Sequence, residues 1–101
     1  MKVVFSELAL TDLESIANYL LENAGLEATL GIIDQIHYTI EETIFDNPKI
    51  GVVVNYLPDH KIRFFPANKT SYNIYYKPSV SEILIVRVLH ERRNIRKILT
   101  G

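Results

Sequence analysis

"SYNIYYKPSVSEILIVRVLH", residues 71–90, decides how the rest of the chain is read. β-Branched and aromatic residues dominate two runs, "SYNIYYK" and "EILIVRVLH". The turn-like "PSVS" separates them, so they read as two antiparallel strands. In the second run Leu84, Val86 and Val88 share a face with His90, while Ile83, Ile85 and Leu89 share the other with Arg87. A strand apolar on both faces is central in its sheet or covered by another element. Arg87 interrupts this strand, and an unpaired guanidinium is costly to bury. It must therefore meet a carboxylate, carbonyls or a ligand.

Moving back along the chain, "KIRFF" is a further strand that ends at Pro66, joined to the next by "PANKT". The three strands make an antiparallel meander. Before them the period is helical. Leu13, Ile16, Ala17, Leu20, Leu21 and Ala24 step by three and one, and Gly25 closes the stripe. Ser6 and the T-x-x-E box at Thr11 and Glu14 are two competing start signals. A second helix is predicted over residues 26–46, with Leu26, Leu30, Ile33, Ile36 or His37, Ile40 and Ile44 recurring at three or four. Asn47-Pro48 stops it. Gly31 inside it costs about 1 kcal/mol against alanine and predicts a close helix contact. So short a link makes the helices an antiparallel hairpin. "KVVF", residues 2–5, is a short N-terminal strand. The tail "RRNIRKIL" has Ile95, Ile98 and Leu99 at helical spacing, enough for a short, marginal helix. The order β-α-α-β-β-β predicts an α+β fold: a helical hairpin on one side of a small, mostly antiparallel sheet.

The chain has 101 residues, which suits a single domain over 1–101. It has no cysteine, so disulfides and thiolate metal sites are excluded. No apolar run approaches the roughly 18 residues a membrane span needs, and the N-terminus is not a signal peptide. A cytoplasmic protein without membrane contact is the expectation. His37, His60 and His90 are scattered and no glycine-rich phosphate loop exists, so no metal or cofactor is expected. The net charge of −1 hides a partition. Residues 1–46 carry one base against nine acids, whereas residues 47–101 carry ten bases against three acids. Such asymmetry points to an anionic partner for the basic half, or to attraction between the halves.

The basic half holds the candidate binding residues: Arg63, Tyr75, Arg87, His90, Arg92, Arg93 and Arg96. Arginines offer forked donors to phosphates or carboxylates, and tyrosines among them can stack on bases. His90 has three readings: a satisfied strand-end histidine, part of a partner surface, or a general acid or base. No residue is assigned a catalytic role.

Taken together, these residues resemble the RelE/ParE superfamily of toxins from bacterial type II toxin–antitoxin systems, across essentially the whole chain. The A-x-x-D-L-x-x-I-x-x-Y pattern falls on Ala9, Asp12, Leu13, Ile16 and Tyr19. Y-x-I-x-Y falls on Tyr72, Ile74 and Tyr76, and R-V-L-H-x-x-R on Arg87, Val88, Leu89, His90 and Arg93. The resemblance implies a helical hairpin on a small antiparallel sheet, growth inhibition, and a cognate antitoxin, ParD-like or similar. RelE-like members cut mRNA on the ribosome, and ParE-like members inhibit DNA gyrase. The chain leans to ParE: Asn73 stands where RelE-like chains commonly have arginine, and no tyrosine or histidine follows His90. The implied target is DNA gyrase. The alternatives are ribosome-bound mRNA, with His90, Arg63 and Arg92 as the cutting residues, and a non-toxic module that works with its antitoxin.

Overall fold

The computed structural model describes residues 1–100. β1 spans Lys2–Phe5, and its four residues suit an extended chain. Ser6 then starts α1, Glu7–Asn23, by accepting from the Ala9 amide. Ser6 prevails over Thr11, which lies inside the helix and donates back to the Glu7 carbonyl. The Ser6 hydroxyl also donates to the Val86 carbonyl, so the cap doubles as a tie to the sheet. α1 ends because Gly25 adopts φ +90°, with the Ala24 and Gly25 amides both donating to the Leu20 carbonyl.

α2, Leu26–Tyr38, follows at once and continues as a wider π-helical turn over Thr39–Ile44. The helical run reaches Asp46, as the sequence predicts, but its winding changes on the way. At that change the Thr39 hydroxyl donates to the Gln35 carbonyl and accepts from the Asn68 amide. The predicted stripe needs correcting at its start. Leu26 and Leu30 are 64% and 55% exposed, whereas Thr29 is buried with its hydroxyl on the Gly25 carbonyl. Gly31 is also corrected: a Cβ there would meet nothing within 4 Å, so it marks no close helix contact.

The sheet order is β1-β5-β4-β3-β2, built from β2 (Val52–Val53), β3 (Arg63–Pro66), β4 (Tyr72–Pro78) and β5 (Glu82–His90). The meander is present, extended by the two-residue β2, which the sequence reading omits. β1 pairs parallel with β5, Val3 opposite Ile83, so β5 is central along its first half. Helices pack on one side of the sheet over Ile36, Ile40, Ile44, Ile74, Tyr76, Ile83, Ile85 and Val88. The other side carries a smaller core of Val54, Ile62, Tyr75 and Leu89. The short helix α3, Ile95–Thr100, packs Ile95, Ile98 and Leu99 against that second core.

One strand departs from simple alternation. Tyr75 pairs with Arg87 but Tyr76 pairs with Ile85, leaving Val86 as an extra residue in a β-bulge. The bulge shifts the parity of everything after it. Val88 joins Ile83 and Ile85 in the helix-side core, while Val86 and Leu89 belong to the other. The predicted grouping of Val88 with Leu84 and Val86, and of Leu89 with Ile85, is therefore overturned.

Candidate binding groove

The bulge lies where β1 has ended. Beyond Phe5 no strand covers the outer edge of β5, and α1 supplies the missing partners. The Ser6 amide donates to the Ile85 carbonyl, and the Asp12 carboxylate accepts from the Val88 amide at 3.0 Å. Asp12 also receives Arg87 in a fork: Nε to Oδ2 and Nη2 to Oδ1, both 2.8 Å. This is the single ion pair among the described residues. The side chains of Arg87 and Asp12 are only 17% and 11% exposed, so water screens them little. The carboxylate beside Arg87 raises its already high pKa, and burial opposes this. The guanidinium thus stays charged and is used inside the protein.

Above this pair lies a groove of about 830 Å³ between α1 and the end of β5. Asp12, Ser15 and Tyr19 line it from α1, Ser71 and Tyr72 from β4 and its turn, and Arg87, His90, Arg92 and Arg93 from β5 and the tail. A tight turn places the last two. The Glu91 amide donates to the Ser71 carbonyl at 2.8 Å and the Arg93 amide to the His90 carbonyl at 3.0 Å. The Arg92 amide donates to His90 Nδ1 at 3.1 Å. In its neutral form His90 therefore carries its proton on Nε2. Its ring also meets Tyr72 edge-on, centroids 5.3 Å apart. The geometry ties His90 to the backbone of its own turn and places it on a groove wall. Burial, and secondarily Tyr19, push the Tyr72 phenol upward, so it remains a neutral donor.

The seven candidate residues do not form one patch. Arg87, His90, Arg92 and Arg93 share this groove. Tyr75 and Arg96 lie with the opposite core: Tyr75 is buried and stacks on Phe64, and the Arg96 guanidinium sits 4.7 Å over the Tyr56 ring. Arg63 stands at another end of the sheet, donating to the carbonyls of Lys49 and Gly51. Asp12, Tyr19 and Tyr72 are groove residues that the candidate set lacks. Asp12 had a readable signal: at i+3 from Ala9 and i−4 from Ile16 it lies on the buried face of α1, where an acid needs a partner. Among the described residues no three His, Asp or Glu side chains gather in a way that could hold a metal ion. No described helix is long and apolar enough to cross a membrane.

Comparison with known proteins adds three findings. A family profile described as the ParE toxin of the type II toxin–antitoxin system, parDE, matches residues 3–95. Among solved structures, a chain of the chromosomal ParDE TA system from P. aeruginosa superimposes with a TM-score of 0.75 at 17% identity, covering 89% of this chain and 95% of that one. That likeness establishes the fold. No curated protein matches significantly.

Proposed function

Because this chain belongs to the ParE toxin family of type II toxin–antitoxin systems, we propose that it inhibits growth by binding DNA gyrase in the cytoplasm, and that a cognate antitoxin neutralises it by covering its basic surface. The observation that carries a binding mode over RNA cleavage is the Asp12–Arg87 fork. A phosphoryl-transfer site needs cations aimed at the developing charge. The cation of the central strand is instead spent on a carboxylate of α1. His90 Nδ1 is likewise taken up, by a backbone amide of its own turn. What the groove offers a partner is Arg92 and Arg93, both exposed, beside the exposed ring of Tyr19. Forked donors next to an aromatic edge suit carboxylates on a protein surface.

Inducible expression tests this reading. SOS induction with trapped gyrase–DNA complexes is the expected outcome, relieved by co-expression of the antitoxin. Rapid translation arrest with mRNA cut at the ribosomal A site would overturn it in favour of the endonuclease. Unimpaired growth would leave a module that acts only with its antitoxin.

A further inference from the structure

β2 closes one side of the sheet, and its outer edge is unpaired. The Val54 amide donates inward to the Ile62 carbonyl, and Val52 stands opposite Phe64. Antiparallel pairing alternates, so the N–H and C=O of Val53 point away from β3 to the free edge. Beside this edge lies a second groove, of about 640 Å³, which shares no lining residue with the groove at the Asp12–Arg87 pair. Its walls are aliphatic, with Met1, Pro48, Val53, Pro78 and Val80 among them. Val80, at the tip of the β4–β5 turn, is 99% exposed, and Val52 is 62% exposed. Lys49, Lys61 and Arg63 also line the groove, and no carboxylate does.

Two further features give this surface direction. Lys61 holds φ +56°, a left-handed conformation that residues other than glycine adopt at a cost. Neither lysine has an ion-pair partner among the described residues. We propose that the free edge of β2 and the groove beside it receive an extended segment of a partner protein in which aliphatic and acidic residues alternate, added as a sixth strand. Main-chain bonds at Val53 supply register, valines and prolines take the aliphatic side chains, and Lys49 and Lys61 take the acids. Lysines at a sheet edge also reject unwanted strands. Here they reject a second copy, because a two-fold pairing of β2 with itself would bring each lysine cluster against its own image. The groove lining has no aromatic ring to stack a base, which disfavours single-stranded nucleic acid.

The test uses the whole chain and a fluorescein-labelled peptide of alternating valine with aspartate or glutamate. Saturable binding that weakens as salt rises is expected, together with slowed hydrogen exchange at the Val53 amide. Lys49→Glu with Lys61→Glu should weaken binding at least about tenfold. Val53→Pro removes an outward N–H and no ladder bond, so it should abolish binding while the melting temperature stays within a few degrees. Should that proline unfold the protein, Val53 exchange and the lysine variants decide alone. Failure to saturate, unchanged Val53 exchange, or indifference to the charge reversals overturns the proposal. So does equal binding of a lysine-substituted peptide or oligothymidine, or dimerisation of the free chain through this edge.

Discussion

Asp12 accepts three hydrogen bonds, two from one guanidinium and one from the Val88 amide. Removing either partner strands a charge that water reaches poorly. Asp12→Ala and Arg87→Ala should each cost about 2–4 kcal/mol in denaturant unfolding, and the double variant clearly less than their sum. Additive losses would show that the pair is not coupled. A stable, antitoxin-binding but non-toxic Arg87→Ala would instead place Arg87 at the target contact. Tyr75 supplies a second prediction. Burial pushes its phenol up to about 12, with Tyr56 adding and an Asn73 hydrogen bond opposing. The folded state therefore keeps a proton that the unfolded chain releases from about pH 10. Its contribution is complete below pH 10 and is lost as pH rises from 10 to 12. Urea titrations across that range should show stability falling by about 2 kcal/mol, with Tyr75→Phe flattening the slope.

At the scale of elements, two glycines with opposite surroundings make a paired prediction. Gly31 is helical, exposed and open around its missing side chain. Gly31→Ala should stabilise the fold by about 0.5–1 kcal/mol through helix propensity alone. Gly51 is buried under a clasp in which its amide donates to the Tyr76 hydroxyl, which donates to the Pro48 carbonyl. A Cβ there would stand 2.5 Å from that hydroxyl and 2.8 Å from the Phe64 carbonyl. Gly51→Ala should lower stability by about 2–3 kcal/mol, because the obstructing carbonyl belongs to β3 and cannot swing aside. Thermal melts of the two variants should move in opposite directions. Elements also show where periodicity misleads: the bulge at Val86 reverses the faces of β5, and because this strand is apolar on both faces the shift leaves no mark in its hydrophobic pattern.

Across the whole molecule, charge is divided between an acidic helical hairpin and a basic sheet and tail. With only one ion pair among the described residues, most of that charge remains available to partners. Arg92 and Arg93 are exposed beside the groove and their side chains make no ion pair among the described residues, so reversing them tests partner binding without threatening the core. Arg92→Glu with Arg93→Glu should leave stability within about 0.5 kcal/mol per site. Affinity for the antitoxin, measured by calorimetry, should fall at least about tenfold, and its dependence on salt should flatten. Unchanged affinity would move the antitoxin contact elsewhere.

The sequence by itself determined the order of the elements apart from the two-residue β2, the helical hairpin, the three longer strands of the meander and the family pattern. Each depends on periodicity or on a local signal, such as Ser6 before α1, Gly25 after it and Pro48 after the second helix. It also required that Arg87 have a partner. Only the tertiary structure decided that the partner is Asp12, 75 residues away, because β1 must pair parallel with β5 and then end. It alone split the seven candidate residues, sending Arg87, His90, Arg92 and Arg93 to one groove, Tyr75 and Arg96 behind the sheet, and Arg63 to its far end. Which face a residue occupies after a bulge, and which edge is left unpaired, are matters of long-range register. No local pattern encodes them.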